Sequence, residues 1–138
     1  MSAQDLADMI LPRLKDSTDV LRARLSSSGL EVRCELGHYV TRVFALRAWI
    51  SLFDEGEEGD VEIMIEITNR IDGFSVTIGI YRESGRILDE ISPVEYPGEF
   101  TQSVSTEVMD EFDALIERGY GLIVSEIAGA SGDHSGTQ

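Results

Sequence analysis

RAWISLFDEGEEGDVEIMIEIT, residues 47–68, decides the fold. Its last eight residues alternate strictly, Val61, Ile63, Ile65 and Ile67 against Glu62, Met64 and Glu66, the period of a strand with one face buried. The segment before the acids does the same more loosely: Phe44, Leu46, Ala48, Ile50 and Leu52 alternate with Val43, Ala45, Arg47, Trp49 and Ser51. A helix over residues 39–53 is the competing reading, and the β-branched and aromatic content favours a strand. If both apolar sets share a face, paired residue numbers must sum to an odd value, because a slip of one residue turns every side chain over. A sum of 113 sets Leu52 opposite Val61, Ile50 opposite Ile63, Trp49 opposite Met64 and Arg47 opposite Glu66. Phe53 to Asp60 is then the hairpin loop.

Working outward, the same period appears on both sides. Leu30, Val32, Cys34 and Leu36 alternate with Glu31, Arg33 and Glu35 in a first strand, closed by a turn at Gly37-His38. Phe74, Val76, Ile78 and Ile80 follow the turn chemistry of NRIDG, and RESG leads to a short last strand, RILDEI. Asp89 falls on its inward phase, a device that blunts a sheet edge. Short connections make consecutive strands antiparallel neighbours. SPVEYPGEF, residues 92–100, with two prolines and a glycine, reads as an irregular crossing.

Helical spacing frames the strands. Leu6, Met9, Ile10, Leu14, Val20, Leu21 and Leu25 recur at three- and four-residue spacing, interrupted by Pro12, which either kinks the helix or begins its main part; SSSG at 26–29 ends it. Val104, Val108, Met109, Phe112, Leu115 and Ile116 mark a second helix, with Gly119 as its stop. GLIVSEI, residues 121–127, is too short to classify. The expected fold is therefore α+β: a two-layer sandwich in which an antiparallel meander of four to five strands has an N-terminal and a C-terminal helix packed on one face. A single domain over residues 1–127 and a flexible polar tail over 128–138 complete it. This layout resembles that of secretion chaperones and toxin-immunity proteins in architecture alone, with no residue motif behind it.

Composition narrows the function. The chain has 138 residues and a formal net charge of −15, which opposes binding to nucleic acid or an anionic membrane. Residues 1–53 hold seven Lys/Arg against six Asp/Glu, and residues 54–138 four against twenty. No apolar run approaches the ~20 residues of a membrane span, and the N-terminal residues show no secretory pattern. Cys34 is the sole cysteine, so no disulfide forms within the chain and a reducing cytoplasm is the expected compartment.

Signatures of catalysis are missing from the pattern. Cys34 points into the core, where a thiol is inert, while His38 sits in a turn, so the two make no nucleophile pair. DEGEEGDVE lacks the ligand order of a calcium loop, GEEGD lacks the lysine of a phosphate loop, and no serine lies in a nucleophile elbow. Neither a metal nor a cofactor is expected. Asp54, Glu55, Glu57, Glu58 and Asp60 of the loop, with Asp110, Glu111 and Glu117 of the second helix, form an acidic surface suited to a partner with a basic groove. On the outward face of the sheet, Arg47, Trp49, Met64, Glu66 and Tyr81 are the residue types of interface cores.

The sequence thus predicts a non-catalytic cytoplasmic protein that binds another protein or a second copy of itself. Inhibitor, immunity-type and chaperone-like roles all fit that description. The alternative is a small-ligand or enzymatic domain whose pocket lies between sheet and second helix, lined by Phe74, Tyr96, Phe100 and Phe112.

Overall fold

The computed structural model describes residues 3–40, 44–53, 61–82 and 84–136. The order is α1 (Ala3–Ser27), β1 (Arg33–Tyr39), β2 (Phe44–Phe53), β3 (Val61–Arg70), β4 (Gly73–Arg82), β5 (Ile87–Pro97) and α2 (Gln102–Gly136). Five antiparallel strands lie in the order β1-β2-β3-β4-β5, a meander. Both helices pack on one face, α1 over β1 and β2, α2 over β3, β4 and β5. The α+β two-layer architecture is as the alternation requires.

Register follows the deciding stretch. Arg47 pairs with Glu66, Trp49 with Met64, Ile50 with Ile63 and Leu52 with Val61. The 113 sum breaks only at a bulge between Phe44 and Leu46. Leu46, Ala48, Ile50, Leu52, Val61, Ile63, Ile65 and Ile80 are wholly buried beneath the helices. The hairpin loop drawn from the sum falls, from residue 54 to 60, outside the described residues.

α1 is one helix through Pro12, so the proline costs a hydrogen bond without ending it. Gly29 stops it, with φ at 84°. Leu30 N–H returns to the Leu25 carbonyl and Gly29 N–H to that of Ser26, each at 3.0 Å, which satisfies two of the end carbonyls.

Several expectations are corrected. β1 starts at Arg33, after Leu30 and Val32, and runs through Gly37 and His38, so the expected turn there is strand. The glycine is a seat: a Cβ at Gly37 would collide with the Trp49 ring lying over it. Residues 92–97 continue β5, because an edge strand tolerates prolines whose missing N–H faces outward or falls at a bulge. Gly119 is no stop, since α2 runs past it and takes in residues 121–127. Leu36, on the helix side, is 42% exposed because β1 lies at the sheet edge. Of the tail, residues up to 136 are helical, and 137–138 lie outside the described residues.

The two glycines in the middle of α2 are tolerated for different reasons. A Cβ at Gly119 would stand 2.5 Å from Ile80 Cδ1, whereas one at Gly121 meets nothing within 4 Å. Gly121→Ala is therefore expected to stabilise the protein by about 0.5–1 kcal/mol through helix propensity alone. Gly119→Ala should lose that gain to overpacking. Urea unfolding of the two variants checks this, and equal stabilisation in both would contradict the close approach of α2 to Ile80.

Candidate functional site

No described element covers the outer face of the sheet. The odd- and even-numbered positions that turn away from the helices form straight rows across it, and one row crosses all five strands: Gly37, Trp49, Met64, Gly79, Glu90. Its two glycines each lie under an aromatic ring. Trp49 covers Gly37 on the neighbouring strand, and Tyr81 folds back over Gly79 on its own strand, where a Cβ would collide with the phenol. Rings laid over bare backbone restore the packing a glycine gives up and keep the surface low and flat. Trp49 and Met64 are cross-strand neighbours, and Met64 lies opposite Gly79, over which the Tyr81 ring folds, so these three half-buried side chains make a belt of large apolar surface across the face.

Charged and polar groups frame the belt and fix it. Arg47 donates to Glu66 Oε2 from Nε at 2.9 Å and from Nη2 at 2.6 Å, and to the Tyr39 hydroxyl at 2.7 Å. Its guanidinium also stands 5.5 Å from the Tyr39 ring centre, and Tyr39 meets Trp49 edge-on at 5.7 Å. Tyr81 donates to Glu90 at 2.7 Å. Burial, then the Glu90 and Glu66 carboxylates, push the Tyr81 phenol well above its ordinary range, so it remains a donor at any physiological pH. Arg47 and Glu66 are each 27% exposed, and their fork-like pairing holds both against the sheet.

The five sheet residues expected from sequence, Arg47, Trp49, Met64, Glu66 and Tyr81, thus lie together on one face. Tyr39 is the member that sequence reasoning missed. With a turn expected at Gly37-His38, Tyr39 falls beyond the first strand, and only its place two residues past Gly37 in β1 brings it against Trp49 and Arg47.

The acidic residues are arranged differently. Asp54, Glu55, Glu57, Glu58 and Asp60 lie outside the described residues. On α2, Asp110 and Asp113 bind Arg13 of α1 at 3.2 Å, and Glu117 binds Arg24 at 2.6 Å, while Glu111 is exposed. Ser17 Oγ donates to Asp113 at 2.5 Å. These contacts clasp the two helices and line a shallow groove of about 290 Å³ floored by Val20, Leu21 and Ile116.

Two further contacts tie α2 to the sheet. Glu126 pairs with Arg82 and, at 2.5 Å, with Arg86. Arg118 grips Asp89 with two hydrogen bonds of 2.9 Å, on the inward side as expected. Those bonds, with help from the Glu90 N–H, hold the Asp89 carboxyl below its usual range. A carboxyl depressed in the folded state stabilises above its unfolded pKa of about 4 and loses that contribution as pH falls through the folded value. Asp89→Asn should consequently be less stable than the parent at neutral pH and converge with it in acid. Urea midpoints measured across the acid range test this, and parallel profiles would contradict it.

Residues proposed for chemistry or a pocket have other surroundings. Cys34 is buried, and burial raises its thiol pKa, so it is a poor nucleophile. His38 is exposed on the same strand, about 13 Å away along β1 at ~3.3 Å per residue. Phe74 stacks on Tyr96 at 5.2 Å and meets Phe100 at 4.9 Å, and Phe112 is wholly buried, so these rings pack into the core. Among the described residues no cluster of His, Cys, Asp and Glu is placed to hold a metal ion, and no helix is long and apolar enough to cross a membrane.

The chain matches no family model, no curated protein and no solved structure.

Proposed function

We propose that this is a non-catalytic protein-binding domain that receives another protein on the outer face of its sheet. The belt of Trp49, Met64 and Tyr81 across an uncovered face is the observation that carries the reading. Large apolar side chains at neighbouring register positions, rimmed by Arg47, Glu66 and Glu90, have the composition of an interface centre surrounded by polar groups. Both helices are engaged on the opposite face, so this face is free to act without disturbing the core.

Of the two surfaces drawn from the sequence, the sheet face is favoured over the acidic one. Asp110 and Glu117 already face Arg13 and Arg24, which reduces the field they offer to a basic partner. An inhibitor, an immunity-type protein and a chaperone-like protein would all use such a face, in a cytoplasm that keeps a lone thiol reduced.

The test is a comparative pull-down from lysate of the native host, using the full chain and its Arg47→Ala/Trp49→Ala variant. The reading expects proteins retained by the parent and lost from the variant, with circular dichroism unchanged. Identical retention by the two would remove the sheet face as the docking surface.

A further inference from the structure

The two edges of the sheet are built differently. β5 is interrupted by register shifts between Val76 and Ile78 and between Ile80 and Tyr81 of its partner strand. It also contains Pro93 and Pro97, and its Asp89, Glu90 and Glu95 are balanced by no basic residue in the strand. Bulges, prolines and like charges are what keep a further strand from adding to an edge. β1 has none of them: seven residues pair with β2 without a shift, from Arg33↔Phe53 to Tyr39↔Arg47. Its single Arg33 and Glu35 cancel, and they touch at 3.0 Å.

Alternation shows which backbone groups β1 offers. Arg70 and Gly73 flank a two-residue turn and are therefore a hydrogen-bonded pair. Carried strand by strand through the registers, that assignment bonds Arg33, Glu35, Gly37 and Tyr39 to β2 and turns the N–H and C=O of Cys34, Leu36 and His38 outward. Arg22 donates to the Cys34 carbonyl at 3.2 Å, in keeping with a carbonyl that faces away from β2. Apolar surface gathers beside these groups: Leu36, Tyr39 and Val40 are 42%, 38% and 46% exposed.

We infer that a second copy of the chain adds its β1 antiparallel to this edge across a two-fold axis, making one ten-stranded sheet. A chain of net charge −15 repels its own copy wherever acids predominate, as along β5, and least along a neutral edge. Because the outward groups belong to even-numbered residues in both copies, paired numbers sum to an even value. With Glu35 on the axis, like charges would face each other. With Leu36 on the axis all seven residues of β1 would pair but no opposite charges would meet. With Cys34 on the axis Arg33 stands opposite the partner's Glu35, so the ion pair forms twice, and Leu36 is covered by the partner's Val32 in the extended segment just before its β1. The two belts then lie on the same side of the joined sheet. This contact uses the edge and leaves the docking face free, so either can fail without the other.

Sedimentation equilibrium of the full chain is the test, and a dimer of twice 15.2 kDa is expected. Arg33→Glu and Glu35→Arg should each weaken it about tenfold or more by setting like charges together, and the double exchange should restore it. Leu36→Pro removes an N–H that β2 does not use, so it should give a monomer with unchanged circular dichroism. A monomer at high micromolar concentration overturns the inference, as does a dimer indifferent to Leu36→Pro. Should that variant unfold, the charge exchanges decide, and a dimer kept by both single variants overturns it.

Discussion

Phe112→Ala is expected to lower the free energy of unfolding by about 3–5 kcal/mol, the usual cost of deleting a buried aromatic ring. Phe112 has no exposed surface and belongs to the same buried cluster as Ile63, Ile65, Ile78 and Ile80 of the sheet. Val108, Met109, Leu115 and Ile116 flank it on α2, each also buried, so the gap cannot close without moving the helix. Against a total stability of about 5–15 kcal/mol for a domain of this kind, the loss is large. Urea unfolding followed by circular dichroism measures it directly. A loss under about 1 kcal/mol would show that α2 does not seal the core over β3, β4 and β5.

The second large effect lies on the other face and concerns binding. Trp49→Ala removes the widest part of the belt, and truncating such a residue at the centre of an interface costs about 2 kcal/mol or more, roughly thirtyfold in Kd. Arg47→Ala should act in the same direction, because it frees Glu66 and the Tyr39 hydroxyl and leaves both to be desolvated unpaired when the partner docks. Stability should change little, since both side chains sit on a half-exposed surface. Trp49→Phe separates the two roles: it keeps a ring over Gly37 and should preserve part of the affinity. Affinity for a captured partner, measured by calorimetry beside the melting temperature of each variant, distinguishes a docking residue from a structural one. A loss of affinity that only follows a loss of fold would contradict the assignment.

Much of the fold is legible in the sequence because period and parity are strict. One sum, 113, places Arg47, Trp49, Ile50 and Leu52 against their partners, and only the bulge near Phe44 departs from it. Glycine and proline were harder, since each has a local meaning and a tertiary one. Gly37 and Gly119 look like a turn and a helix stop, but the first is the bed of the Trp49 ring and the second lets α2 approach Ile80. Pro93 and Pro97 look like breakers because a proline inside a sheet breaks the ladder, and they are harmless only on an edge, which becomes known once the strand order is. With Gly119 read as a stop, the spacing of Phe112, Ile116, Ile123 and Ile127 that continues the helix goes unnoticed.

The candidate site was legible by residue type and parity, and less so by shape. Alternation places Trp49, Met64 and Tyr81 outward, but the row that joins Gly37 to Glu90 needs all four registers at once. The pairing of Asp110 and Glu117 with Arg13 and Arg24 depends on how two helices far apart in sequence lie side by side. No spacing within either helix announces it.

Trp49 is the only tryptophan in the chain, so its fluorescence reports on the belt alone. The most direct measurement is acrylamide quenching of that emission in the free protein and after addition of a partner recovered by the pull-down. An uncovered docking face predicts ready quenching when free, and a blue-shifted, shielded emission when bound. Equal quenching in the two states, with the complex shown to be intact, would contradict the assignment of the outer sheet face as the binding surface.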